Sequence, residues 1–227
     1  MARILFVYTS ASENLVGKPT GWYLPEAAHP YYVLAPHFEI DFAAPGGPNP
    51  PVSPESVESY KSDAECVKFI SQDETVKQKL ATAKRLTDVN RADYVAVFYP
   101  GGHGPVIDLW KDESNIKLAN EFYRSGKVVS AVCHGPAALV GVTGADGKSI
   151  FAGRTAAGFS NEEEEIAQST HTIPFLLEDK IKSLGGNYVK APKPWEVKVV
   201  TDGNVITGQN PASGRGVGEE ILRVLKA

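Results

Sequence analysis

Two stretches of the chain, VAVFYPGG (95–102) and VVSAVCHG (128–135), run apolar at nearly every position and then break at a glycine turn. A half-buried strand alternates apolar and polar residues; a run that does not alternate is covered on both faces. Such strands belong to a parallel sheet with helices on either side. ARILFVYT (2–9) reads the same way, and EIDFAAPGG (39–47) is a second short strand ending at a glycine turn. Helical patterns lie between them. One helix opens near Trp22 and carries Glu26, with Pro30 as a kink or a second start. SDAECVKFI (62–70), DETVKQKLATA (73–83) and SNIKLANEFYRSG (114–126) are further helices, and another starts just after Cys133. Residues 48–60, rich in proline and serine, read as loop. Near the end, VKVVTDGNVITGQNP (197–211) holds an Asp-Gly turn between two apolar runs, a hairpin signal, and SGRGVGEEILRVLKA (213–227) is the last helix. The alternation predicts an α/β fold with a mostly parallel central sheet covered by helices on both faces. With no clean linker, residues 1–227 read as a single α/β domain with an inserted segment at about 50–90.

Composition narrows the function classes. The 227 residues are 42% hydrophobic and 22% charged, enough for one substantial core. A formal net charge of -4 offers no nucleic-acid surface. No run approaches the roughly 18 apolar residues of a membrane span. MARILFVYTS is too short and strand-like for a signal peptide, so the default compartment is a reducing cytoplasm, with the nucleus also open to it. The two cysteines, Cys66 and Cys133, read as free thiols.

Sites in parallel α/β sheets form at the carboxyl ends of strands, where Gly101-Gly102 and Cys133 both fall. A cysteine on a tight strand-to-helix turn is pushed out of the sheet beside free N–H groups. Their partial charge favours thiolate and can hold an oxyanion. Gly102, without a Cβ, lets a second N–H approach the same point, and His103 next to it is a candidate pocket residue. Trp22, Tyr23 and Trp195 are candidate pocket walls or core, His29 reads as surface or core, and Cys66 reads as core. In the run Glu162 to Glu165, Ser160-x-x-Glu163 and Asn161-x-x-Glu164 both satisfy a capping box.

GWYLPEAAHPYYVL, FYPGGHGPVIDL, AVCHGPAAL and AAGFSNEEEE, in that order, resemble the ThiJ/PfpI (Parkinsonism-associated deglycase) superfamily, most of all its heat-shock chaperone and glyoxalase III branch. The resemblance implies a flavodoxin-like, class I glutamine-amidotransferase-like sandwich. It implies Cys133 as nucleophile, His134 as its imidazole partner and Glu26 as the helix glutamate beside the thiol. Counting from Gly158-Phe159-Ser160, Glu164 is the best fit for the third triad member, with a slip of one left open by the four glutamates. The implied activity is a glutathione-independent glyoxalase. It would convert methylglyoxal, a small α-oxoaldehyde, to lactate through a cysteine hemithioacetal, with Gly102 and His134 N–H groups holding the oxyanion. Glu26 or His134 would be the base, and neither metal nor organic cofactor is required. Rival implications are a stress-related holdase chaperone for unfolded clients, a cysteine redox sensor, a protein deglycase-type activity, and a small amidase or peptidase. A homodimer is implied as well.

Overall fold

A computed structural model describes residues 1–226. The chain runs β1 (Arg3–Val7), α1 (Leu24–Leu34), β2 (Glu39–Ala44), α2 (Pro54–Ser59), α3 (Ala64–Val67), α4 (Glu74–Ala81), β3 (Lys84–Arg85), β4 (Ala96–Tyr99), α5 (Gly104–Ile107), α6 (Glu113–Arg124) and β5 (Val128–Val132). It continues through β6 (Thr155–Ala156), α7 (Asn161–Ile166), α8 (Leu177–Ser183), β7 (Asn187–Tyr188), β8 (Val199–Asp202), β9 (Val205–Gly208) and α9 (Gly214–Lys226). Among the described residues a seven-stranded sheet has the order β3-β2-β1-β4-β5-β9-β8, and every pairing in it is parallel except β8 with β9. This is the mostly parallel sheet that the buried runs predict and the flavodoxin-like one that the resemblance implies.

The non-alternating strands do serve two cores. Ile4, Phe6 and Tyr8 face a core with α1, α9 and Phe69, whereas Leu5 and Val7 face a second core with Leu118 and Phe122 of α6. The expected hairpin is present, with Asp202 paired to Val205 across Gly203 and Asn204, and Gly203 takes a φ of +61°. Pro30 does not restart α1, which is continuous from Leu24 to Leu34. Its missing N–H deprives the Glu26 carbonyl of its helical partner. Gly218 of α9 packs against Pro30, where an added Cβ would meet Pro30 Cα at 2.9 Å.

Two local expectations change. Residues 48–60 are not all loop, because Pro54–Ser59, with Pro54 in its first turn, form α2 between caps at Ser53 and Tyr60. The Ser56 hydroxyl there accepts from the Leu24 N–H, at 3.0 Å, and so anchors α2 on the start of α1. The helix after Cys133 starts where expected but is a single 3-10 segment, Gly135–Leu139. Pro136 fits its first turn, and Gly135 lies so close to β4 that a Cβ would meet the Tyr99 carbonyl oxygen at 2.3 Å. No helix among the described residues is long and apolar enough to cross a membrane.

Candidate active site

Cys133 is the residue directly after β5, at the carboxyl end of the sheet, and it takes a φ of +60°. For a residue with a side chain that conformation costs about 1–3 kcal/mol and persists only when its surroundings enforce it. Here both backbone groups are fixed: the Cys133 N–H donates to the Gly208 carbonyl at 3.0 Å, and the Phe159 N–H donates to the Cys133 carbonyl at 2.9 Å. The turn tips the side chain up from the sheet toward the loop after β4.

That loop presents two glycines, each for a different reason. At Gly101, an added Cβ would stand 2.5 Å from Glu26 Oε2, 2.6 Å from the Val132 carbonyl oxygen and 2.7 Å from Cys133 Cβ. The carboxyl and the nucleophile thus meet around one point that only glycine leaves free. Gly102 has a φ of +88° and its N–H reaches the Cys133 sulfur. Gly101→Ala is expected to lower stability by about 1–3 kcal/mol, the range for overpacking a tight interior, as read by denaturant unfolding. An unchanged midpoint would mean the loop yields freely.

Glu26 is fully buried on α1. Its Oε2 accepts the Gly101 N–H at 2.7 Å, and Oε1 has no directional hydrogen-bond partner. Burial raises its pKa to about 8, against smaller opposing contributions from Cys133 and the Gly101 N–H. Cys133 is moved the same way. Burial, then the Glu26 charge, push the thiol well above its ordinary value, and the Gly102 N–H offsets only part of this. Withdrawal from water thus opposes the turn's N–H groups, which favour thiolate. The buried pair exchanges protons as a unit.

His134 Nδ1 lies 3.4 Å from Cys133 Sγ, and Nε2 lies 2.6 Å from Glu164 Oε2. Burial lowers the His134 pKa, outweighing the nearby Glu164 carboxylate. Burial works the other way on Glu164, yet His134 and His103 more than offset it and hold the carboxylate well below its usual range. An ionised carboxylate only accepts, so the imidazole donates from Nε2 and leaves the Nδ1 lone pair facing the thiol. His103 Nε2 donates to the other oxygen, Oε1, at 2.8 Å, and the Ser169 hydroxyl donates there too. The His134 ring is held between His103 and Phe159, with centroids 4.3 and 4.4 Å away. The donor atoms of His103, His134 and Glu164 sit close enough to suggest a metal. Their 2.6 and 2.8 Å separations are those of hydrogen bonds, shorter than the about 3.3 Å between ligands on a tetrahedral ion.

The glutamate run divides by role. Glu164 faces the two imidazoles. Glu163 completes the capping box with Ser160 and is also buried against Gln209 and Asn210 and the Trp195 N–H. Glu162 pairs with Lys190 at the surface, and Glu165 is exposed. The second capping box, from Asn161, does not form. Sequence reasoning missed both the His103–Glu164 bond and Glu163 as the anchor of the Trp195 loop. The only signal for the latter was the capping spacing. Trp22 is core, with its indole N–H on the Pro50 carbonyl, whereas Tyr23 and Trp195 line the pocket.

The pocket above Cys133 holds about 90 Å³ and is lined by Tyr23, Glu55, Gly102, His103, His134 and Trp195 among others. That is room for a few waters or a molecule of a handful of heavy atoms. The arrangement can add a sulfur to a small carbonyl compound, hold the resulting oxygen near a backbone N–H, and move protons through Glu26 or His134.

Known proteins share this arrangement's frame. The chain is 30% identical over 232 residues to the glutathione-independent glyoxalase HSP31 of Saccharomyces cerevisiae, across 99% of this chain and 98% of that protein. It superimposes on the Rapid Encystment Protein 24 KDa of Francisella tularensis with a TM-score of 0.93 at 33% identity, covering 99% of each chain. Against glyoxalase III of Candida albicans the TM-score is 0.86 at 26% identity, covering 98% of this chain and 96% of that one. Residues 52–224 match the DJ-1/PfpI family, and with α1, the two glycine turns and the Cys133 elbow in one continuous fold, the chain belongs to that family.

Proposed function

We propose that the protein is a glutathione-independent glyoxalase that converts methylglyoxal to lactate. The observation that carries the proposal is the meeting of Glu26, Cys133 and His134 around a pocket too small for a peptide, in a chain aligned end to end with glyoxalases. The Cys133 sulfur adds to the aldehyde carbon. The thiol proton passes to His134 Nδ1 and on to the former aldehyde oxygen, giving a hemithioacetal. The Gly102 N–H faces that oxygen's charge as it develops. Glu26 as carboxylate takes the C1 proton and returns it at C2, while the proton of the C1 hydroxyl moves to the C2 oxygen, so C1 becomes a carbonyl and C2 carries the hydroxyl. A pKa near 8 makes it a far stronger base than an ordinary carboxylate. The product on sulfur is a lactoyl thioester. Water cleaves its C–S bond, releases lactate and returns the thiol. No electrons enter or leave the system, because one carbon is oxidised as its neighbour is reduced.

Glu164 orients His134 in this scheme and His103 braces Glu164. Glu164→Gln is expected to lower kcat by up to about 10⁴, as loss of a triad's orienting carboxylate does, with Glu162→Gln unchanged. Equal effects of the two substitutions would dissolve the assignment within the glutamate run. The burial of the thiol, 3% exposed, weighs against the redox-sensor reading, which needs an accessible sulfur. The test of function is conversion of methylglyoxal to lactate, mole for mole, by purified protein in a buffer free of thiols. Aldehyde loss without lactate would leave only reversible capture by the thiol.

A further inference from the structure

The second cysteine has company that the reaction does not use. Cys66 on α3 is buried, and its Sγ lies 3.9 Å from Nε2 of His29 on α1. Asp63 Oδ2 lies 3.2 Å from the same Nε2. The three donor atoms all fall within 4.8 Å of one another. Thiol and carboxylate both lie against this one nitrogen, and the thiol also lies within reach of the Asp63 carboxylate, so the three groups face a common point. This is unlike the Cys133 site, where sulfur and carboxylate take opposite ring nitrogens.

Convergence on one point is what a metal ion requires. A tetrahedral zinc ion with the usual bond lengths sets its thiolate, imidazole and carboxylate ligands about 3.3–3.6 Å apart. The observed 3.2 and 3.9 Å to the imidazole nitrogen lie on either side of that range. The carboxylate is already oriented: its other oxygen, Oδ1, accepts the Cys66 N–H at 2.9 Å as the cap of α3, leaving Oδ2 for a ligand. His29 and Asp63 are partly exposed, so an ion can enter from solvent and keep a water as its fourth ligand.

We propose that Cys66, His29 and Asp63 form a zinc-binding site, separate from the Cys133 pocket. A mixed sulfur, nitrogen and oxygen set of this size fits Zn2+ better than the oxygen-seeking Mg2+ or Ca2+. On binding, the Cys66 S–H bond breaks, a sulfur–zinc bond forms and the proton leaves to solvent. The ion fastens α3, part of the 50–90 segment, to α1. His29 is one helical turn beyond Glu26, so the bound ion stiffens the helix that carries the Glu26 carboxyl.

The test uses Co2+ as a spectroscopic probe and Zn2+ as its competitor, on full-length Cys133→Ala protein. In that variant Cys66 is the only thiol. The expected result is one Co2+ per chain with a cobalt–thiolate charge-transfer band, displaced by one equivalent of Zn2+. Cys66→Ser added to that background abolishes the band and weakens Zn2+ binding by more than about 100-fold, beyond what loss of an outer-shell partner costs. His29→Gln, which leaves the buried sulfur in place, weakens binding similarly and guards against a misfolded Cys66 variant. Absence of a thiolate band in Cys133→Ala would overturn the proposal. So would Zn2+ affinity unchanged by His29→Gln, which would send the ion to another set of ligands.

Discussion

Cys133→Ala is expected to form no lactate from methylglyoxal, with turnover down by at least about 10⁴, as for removal of a covalent nucleophile. The fold should survive. Alanine keeps the Cβ that the elbow already accommodates at φ +60°, and the two backbone hydrogen bonds that hold the turn do not involve the sulfur. Removing a small buried group costs about 1–2 kcal/mol, readable as a modest drop in unfolding midpoint. Cys133→Ser sharpens the point. Its hydroxyl fits the same space, yet burial and the neighbouring Glu26, which already push a thiol up, leave a hydroxyl without useful nucleophilicity. Turnover by either variant above about one thousandth of wild type would remove the carbon–sulfur bond from the mechanism.

Glu26→Gln carries the second large effect, and it moves activity and stability in opposite directions. Loss of the base is expected to lower kcat by about 10²–10⁴. Stability should rise instead. The Glu26 pKa is about 8 in the fold against an ordinary 4.5, so between those values the folded chain holds a proton that the unfolded chain has released. The contribution is fully present below pH 4.5 and is lost as pH rises through about 8. At pH 7 the penalty on the wild type is at most about 3 kcal/mol, from 1.36 kcal/mol per pH unit. Glutamine keeps an oxygen for the Gly101 N–H and never ionises. The variant's gain in unfolding midpoint should therefore grow from pH 5 to pH 8. For the wild type, kcat/KM should climb with pH and level off near 8 as the carboxylate form fills. A gain that shrinks with rising pH would mean that Glu26 is an ordinary ionised carboxylate.

The buried strands, the Asp202-Gly203 hairpin and the Cys133 elbow are legible in the chain because each rests on local pattern: apolar runs, turn residues, a break in periodicity. The short helix α2 is hidden because Ser56 and Pro54 become helical only by docking on α1. Four consecutive glutamates are locally alike. What separates Glu164 from Glu163 is the arrival of His103 and His134 on one side and Gln209 and Asn210 on the other. The burial of the thiol is not a local property. N–H groups at a turn are visible in the pattern, but the depth at which the pocket buries Cys133 beside Glu26 comes from sheet packing. Cys66 reads as core and is core, but His29 arrives beside it from 37 residues away.

The central claim is that one buried thiol and one raised carboxyl together isomerise an α-oxoaldehyde. Chiral chromatography of lactate tests it most directly, using wild type, Cys133→Ala and Glu26→Gln incubated with methylglyoxal in a non-nucleophilic buffer without glutathione. A single lactate enantiomer from the wild type, and none above background from either variant, is the predicted result. Racemic lactate from the wild type, or the same yield from all three proteins, would contradict the account.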